Sequence, residues 1–184
     1  MMRFLTICLL AFGIAMTPVL TAPALARDLT GAERSALSVR IDTFAEAMRA
    51  KEIGEVISVT PPRIIAHIAK QAGVDPAELR KMVVKQTEEV MKDVTFEKMS
   101  MRIDQAEYKT TPDGEPYALI PTSFVMDAGD AGKFETNSHT LALLDAGKWY
   151  LIRVNDAGQL AILRQVYPGF VGIEFPKGTM KAIK

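Results

Sequence analysis

His139 is the residue whose type and position best fit chemistry. It alternates with Leu141 and Leu143 along the chain, so a strand would place all three side chains on one apolar, inward face. A half-buried imidazole in that position could act as a general acid or base. The alternative interpretation is a hydrogen-bonded histidine at the rim of the core, or one beside Arg153. We therefore take His139 as a candidate for both catalysis and ligand binding.

A predicted hairpin places two further candidates next to His139. A tight turn at Asp145-Ala146-Gly147 sets a pairing in which Leu143 faces Trp149 and His139 faces Arg153. This pairing puts an aromatic ring and a cation on the same face as the imidazole. Trp149 and Arg153 are thus candidate ligand-binding residues.

Asp104 and Tyr117 are the remaining candidates for acid–base chemistry. Alternation from Glu97 to Tyr108 predicts a strand with Met101 and Ile103 on its apolar side. Asp104 and Tyr108 then share the opposite side, so a carboxylate at 104 faces water more readily than a pocket. Tyr117 begins the return strand and could donate a hydrogen bond to a bound carbonyl.

The composition does not favour a metal site, a catalytic thiol or a nucleic-acid-binding surface. The single cysteine is Cys8, and the two histidines, His67 and His139, are 72 residues apart, without the local ligand pair typical of zinc sites. We predict no metal and no cofactor, and His67 is interpreted as a surface residue. Residues 27–184 carry 21 basic and 22 acidic side chains, so no concentrated basic face for nucleic acid is expected.

The first 26 residues have the pattern of a secretory signal peptide. Arg3 precedes an apolar run from Phe4 to Met16, and Ala24-Leu25-Ala26 supplies a small-residue cleavage site. Cleavage after Ala26 would release one α+β domain, residues 27–184, to the periplasm or the medium. The apolar run is shorter than the roughly 20 residues of a membrane span, so no stable membrane insertion is expected after cleavage.

Helical signals dominate the first half of the mature chain. Thr30 and Glu33 have capping-box spacing, and Asp75 before Pro76 is a second predicted start. The segment Lys51–Thr60 is ambiguous. Periodicity predicts one helix beginning at Thr30, one from Pro62 to about Ala72, and one from Pro76 with a buried stripe of Leu79, Met82, Val83 and Val90. The seven methionines after the leader are expected mainly to fill gaps in the core.

The second half of the chain has strand and turn signals. Pairing Thr111 with Pro116 would set Ile103 opposite Phe124 and Met101 opposite Met126. The predicted strands are Glu97–Tyr108, Tyr117–Asp127, Phe134–Leu144 and Lys148–Val154, followed by a helix from Ala157 to Tyr167 capped by Asp156 and a short strand near Val171–Phe175.

This order predicts an α+β fold: N-terminal helices on one face of a curved antiparallel sheet of about four strands, with a late C-terminal helix. The region Leu29–Val154 resembles the nuclear transport factor 2-like superfamily, the cone-shaped fold of ketosteroid isomerase and the polyketide cyclases. The resemblance rests on Phe44-Ala45-Glu46-Ala47-Met48, Val59-Thr60-Pro61-Pro62 and Gly147–Val154. It implies a pocket between sheet and helices, where the isomerase branch uses an Asp base beside Tyr and protonated Asp donors. No catalytic residue of the family can be assigned to a position of this chain.

The sequence favours a non-catalytic binding or assembly module whose partner is a small molecule or a periplasmic protein. The alternative is an isomerase- or dehydratase-like enzyme with His139 as acid or base and Tyr117 or Tyr150 as donor. A homodimer is a third hypothesis. It would bury a second sheet face formed by Thr140, Ala142, Tyr150, Ile152 and Val154.

Overall fold

The computed structural model describes residues 29–183. The chain has the predicted α+β fold, in which N-terminal helices, a curled antiparallel sheet and a C-terminal helix precede a final strand. The helices are α1 (Gly31–Ala50), α2 (Ile53–Ser58), α3 (Pro62–Ala72), α4 (Pro76–Val90) and α5 (Ala157–Val166). The strands are β1 (Thr95–Met101), β2 (Glu107–Thr110), β3 (Pro116–Asp127), β4 (Lys133–Asp145), β5 (Lys148–Arg153) and β6 (Thr179–Ile183). The predictions for residues 1–28, including cleavage after Ala26, lie outside the described residues.

The predicted helix starts are confirmed by their caps. Thr30 and Glu33 form the reciprocal capping box of α1, and Asp75 accepts a hydrogen bond from the Ala77 amide at 2.8 Å. Asp156 caps α5 through the Gln159 amide at 2.9 Å. Each bond satisfies a backbone donor that a helix start otherwise leaves without a partner.

Two details of the helical half differ from the sequence prediction. The ambiguous segment contains the short helix α2, which follows Lys51 in a left-handed conformation (φ 56°). The buried stripe predicted for α4 is only partly covered: Leu79 and Val83 are half-buried, whereas Met82 is 54% and Val90 67% exposed. The helix contacts α2 and α3 rather than the sheet, so only a narrow side of it is covered.

The sheet is a half-barrel in which two short strands extend each edge. β3 and β4 form the centre, β1 and β2 both pair with β3, and β5 and β6 both pair with β4. The predicted single strand Glu97–Tyr108 is therefore broken, since a 3-10 turn at Ile103–Gln105 separates β1 from β2. The final strand begins at Thr179, beyond the predicted Val171–Phe175. Its partner is β4, through pairs such as Asn137 with Thr179.

The break changes the register of β1. Met101 faces Thr122 and Met99 faces Phe124, so the predicted pairs of Met101 with Met126 and Ile103 with Phe124 are wrong. The residues of the 3-10 turn, Ile103–Gln105, do not pair with β3 as they would in a continuous strand. Tyr108, predicted to face water, instead packs against the cluster under α1, with the Arg34 guanidinium carbon 4.6 Å from its ring centroid.

The β4–β5 hairpin also pairs one residue away from the prediction. Leu144 faces Trp149 and Thr140 faces Arg153, so the pairs of Leu143 with Trp149 and His139 with Arg153 are wrong. The connection has two residues, Ala146 (φ 49°) and Gly147 (φ 75°), as in the type I′ turn that matches strand twist. The shift by one residue puts Trp149 on the opposite face from Leu143.

Both faces of the sheet consequently carry a packed core. The first cluster lies between the sheet and α1 and consists of Leu37, Ile41, Val59, Ala118, Ile120, Ala142, Trp149 and Leu151. The second lies under α5 and the turn after it and consists of Tyr117, Leu119, Leu141, Leu143, Val154, Leu163 and Phe170. The C-terminal helix therefore covers the face that the prediction left open.

The face proposed for a homodimer does not exist as one surface. Ala142 belongs to the cluster under α1, whereas Val154 belongs to the cluster under α5. Both are buried within the chain, with 0% and 2% exposure. The homodimer itself stays a prediction, but these residues cannot form its interface together.

The methionines do not fill the core as expected. None of the seven is fully buried: Met82 and Met180 are exposed, and Met48, Met91, Met99, Met101 and Met126 are half-buried. Branched aliphatic side chains such as Leu37, Ile120 and Leu163 occupy the fully buried positions instead.

Candidate functional site

A gap in the edge of the sheet creates an open cleft at His139. β4 pairs with β6 from Lys133 to Asn137 and with β5 from Thr140 to Asp145, which leaves Ser138 and His139 without a strand on that edge. The resulting cleft has a volume of about 270 Å³. His139 forms part of its wall, across from Pro121 on β3. We call this the His139 cleft.

The side chains around this cleft are basic or neutral. Its charged residues are Arg102, which follows β1, and Lys177, which precedes β6. The neutral polar residues of its wall are Thr122, Ser123, Asn137, Ser138 and Thr179. No carboxylate lines the cleft among the described residues.

The imidazole of His139 has unused hydrogen-bonding capacity. Its Nδ1 is buried and has no partner within the described part of the chain. Such an atom costs free energy, because burial removes its hydrogen bonds to water and no protein group replaces them. The ring also lacks the orienting partner that a general base usually has.

Glu107, an acid whose pKa is affected by the charge of His139, is already paired with a lysine. Glu107 on β2 forms an ion pair with Lys109 at 2.7 Å. The hydrogen bond and charge of Lys109 lower the pKa of Glu107, and His139 adds a smaller effect in the same direction. The Glu107 carboxylate is exposed and outside the cleft wall, so it is not a carboxylate partner held by the imidazole.

The two tyrosines considered as donors lie far from His139 along the sheet. Tyr117 and Tyr150 both pair with Leu143, four residues along β4 from His139. At about 3.3 Å per residue this is a separation of about 13 Å. Tyr117 is buried against the Phe170 ring, with 5.2 Å between centroids, and burial raises its pKa.

The other sequence candidates are also dispersed. Asp104 is exposed on the 3-10 turn between β1 and β2. Trp149 is buried under α1, where its Nε1 donates to the Glu33 carbonyl at 2.8 Å. Arg153 is exposed at the end of β5, outside the cleft wall. Of these candidates, the structure places only His139 in the cleft.

His67, predicted to be a surface residue, is half-buried on α3. Its Nε2 lies 3.0 Å from both the Gln71 and the Gln165 side chains. Unlike His139, this histidine is held by partners of its own chain.

Sequence reasoning missed Arg102, Lys177 and the polar residues beside them. They come from four separate segments, and only the split pairing of β4 brings them together. The basic residues stand singly in the sequence, so no charge run marks them.

A second cleft lies at the opposite end of the β4–β5 hairpin and has a volume of about 310 Å³. Most of its polar side chains, with the exception of Glu115, are engaged with one another. The Tyr167 hydroxyl donates to Asp145 at 2.7 Å, and Arg63 stacks on the Tyr167 ring at 4.5 Å. The Thr111 hydroxyl donates to Asp113. These contacts give this cleft a structural role.

Several site classes find no support in the described residues. Within residues 29–183, no group of three or more His, Cys, Asp or Glu side chains is arranged to hold a metal ion. In the same range, no helix has the length and apolarity needed to span a membrane.

Comparison of the chain with protein-family models, with curated proteins and with solved structures finds no match. The resemblance to the nuclear transport factor 2-like superfamily therefore stays a prediction.

Proposed function

We propose that this chain is an exported, non-catalytic binding module of the periplasm, and that the His139 cleft is its small-molecule site. The observation that carries the proposal is the contrast between the two clefts. The polar side chains at Tyr167 are paired with each other, whereas His139 and its basic neighbours have no side-chain partner among the described residues.

The geometry supports binding rather than turnover. The isomerase- or dehydratase-like alternative pairs His139 with a second acid–base group or donor close to the reacting atoms. Tyr117 and Tyr150 are about 13 Å from His139 along β4, and Asp104 is on an exposed turn. A cleft with unpaired donors but no convergent acid–base pair is suited to holding a ligand.

A ligand screen with paired histidine variants tests the proposal. The mature chain is screened by thermal shift against neutral, cationic and anionic small molecules, and each hit is titrated into His139→Ala and His67→Ala. We expect His139→Ala to abolish the shift. His67→Ala is the matched control and retains the shift, because His67 lies on α3, outside the cleft wall. The same compounds and a panel of isomerase and dehydratase substrates are assayed for turnover.

Two results would overturn the proposal. One is the absence of any ligand whose binding depends on His139. The other is turnover of a substrate that disappears in His139→Ala, which would favour the isomerase- or dehydratase-like alternative.

Export is tested separately by expressing the full chain with its leader. We expect the periplasmic fraction to contain a 158-residue protein that begins at Arg27, as shown by intact mass and N-terminal sequencing. A full-length product confined to the cytosol would contradict this part of the proposal.

A further inference from the structure

The His139 cleft combines features that select for negative charge. This inference rests on the proposed function of the cleft and names the class of its ligand. We propose that the cleft binds a small oxyanion, the carboxylate or phosphate group of a small molecule. The charge of the wall, its free donors and its dimensions all favour such a ligand.

The positive charge in the cleft is local and uncompensated. Neither Arg102 nor Lys177 forms an ion pair with another described residue. The whole chain has a formal net charge of zero. The excess of positive charge at the cleft therefore does not follow from the overall composition. Two unpaired cations beside one opening attract an anion, and a low-dielectric protein wall strengthens that attraction relative to bulk water.

The neutral residues of the wall supply donors without competing partners. Ser123, Ser138 and Thr179 offer hydroxyls, and Asn137 offers an amide. None of these four side chains is hydrogen-bonded within residues 29–183. Carboxylate and phosphate oxygens accept several hydrogen bonds each, and bonds to an ionised group are stronger than neutral ones.

Backbone pairing holds residues of the cleft wall at both edges of the β3–β4 pair. Asn137 and Thr179 form the last pair between β4 and β6, and Lys177 lies just before β6. Arg102 follows β1 on the other edge of this pair, where its backbone amide donates to the Pro121 carbonyl of β3 at 2.9 Å. Regular backbone pairing therefore anchors the donors from two directions around the opening.

The volume of the cleft is sufficient for a small ligand. A volume of about 270 Å³ corresponds to roughly nine water molecules at about 30 Å³ each. The site thus fits an oxyanion with a short organic group. Because the cleft is open to solvent, we expect weak binding, with Kd on the order of 0.1–1 mM, that weakens further with salt.

The test is a titration followed by NMR of the mature chain in a buffer free of phosphate and carboxylate. Inorganic phosphate and succinate are the two anionic probes, and glycerol is the neutral probe. We expect saturable shifts of the His139 ring and of the Asn137 and Ser123 amides with at least one anion. The anion with the lower Kd shows whether the cleft prefers a phosphate or a carboxylate group.

Matched charge variants distinguish anion binding in the cleft from nonspecific attraction of anions to basic residues elsewhere on the surface. Lys177→Gln and Arg102→Gln are each expected to weaken anion binding by about tenfold or more. Lys181→Gln, also exposed but outside the cleft wall, is expected to bind like the parent. Thermal unfolding of each variant verifies that the fold is unchanged.

The outcomes distinguish this inference from the proposed function. Failure of both anions to bind at 10 mM, or equal weakening by Lys177→Gln and Lys181→Gln, would overturn the oxyanion inference. If glycerol or another neutral ligand binds in a His139-dependent way while the anions do not, the binding function stands and the oxyanion inference fails.

Discussion

The Tyr167 hydroxyl donates a hydrogen bond of 2.7 Å to the Asp145 carboxylate. This bond joins the end of α5 to the β4–β5 turn, two parts of the chain that are 22 residues apart. Arg63 from α3 stacks on the same ring and donates to the Val166 carbonyl at 3.0 Å. The C-terminal segment is thus fixed to the helical half and to the sheet at one point.

Removing this hydroxyl should destabilise the fold. In Tyr167→Phe the half-buried Asp145 carboxylate loses its donor, and we expect a loss of about 1–2 kcal/mol in the free energy of unfolding. Urea denaturation followed by circular dichroism measures it. Tyr108→Phe is the control, because the Tyr108 hydroxyl has no hydrogen bond within the described residues. Equal stability of the two variants would contradict the role of the Tyr167–Asp145 bond.

The same tyrosine should make stability fall at alkaline pH. Burial first, and then the bond to Asp145, raise the pKa of Tyr167 well above its ordinary value of 10.0. Below about pH 10 both folded and unfolded chains keep the proton, so the contribution is fully present. As the pH rises further, the unfolded chain loses its proton first, and the contribution is lost progressively toward the folded pKa.

The measurement is the urea midpoint from about pH 8 to about pH 11. We expect the parent protein to lose stability more steeply above about pH 10 than Tyr167→Phe does. Tyr117, whose pKa burial also raises, is present in both proteins and cancels in the comparison. Parallel curves would show that Tyr167 does not carry this effect.

The β4–β5 register can be tested at Ala146. Its φ of 49° is a left-handed conformation that costs an alanine roughly 1 kcal/mol, whereas asparagine before glycine suits this two-residue turn. We expect Ala146→Asn to raise the free energy of unfolding by about 0.5–1 kcal/mol. Ala146→Val, with a branched side chain, should lower it. If the turn were instead the three-residue turn Asp145-Ala146-Gly147 predicted from the sequence, the two variants would not change the free energy of unfolding in opposite directions.

The cover of the second sheet face depends on α5. Leu163 is fully buried there, so Leu163→Ala should cost about 2–5 kcal/mol in denaturant unfolding. Met82→Ala on the exposed side of α4 is the comparison, with an expected change within about 0.5 kcal/mol. A large loss for Met82 and a small one for Leu163 would mean that α4, rather than α5, covers an apolar core.

Local signals in the sequence sufficed for the fold class and for most helix starts. The caps at Thr30, Asp75 and Asp156 act over three residues or fewer, so they can be recognised without knowing the fold. The strand registers could not be predicted to the same degree. A 3-10 turn at Ile103 and a two-residue turn at Ala146 each shifted the pairing, and a shift of one residue reverses both faces of a strand.

His139 was identified from the sequence because an imidazole is rare in this chain and alternates with leucines. Its surroundings were not, since the predicted neighbour Arg153 faces Thr140 and the actual neighbours come from distant segments.

The sequence by itself determined that this chain has an α+β fold with helices before strands, and that its single cysteine is at position 8. Composition, caps and periodicity are local properties, and they do not depend on which strand pairs with which. Only the tertiary structure decided that both sheet faces are covered and that a gap between β5 and β6 opens beside His139. The reason is that pairing along β4 depends on the geometry of the turns and on which part of its edge pairs with β5 and which with β6.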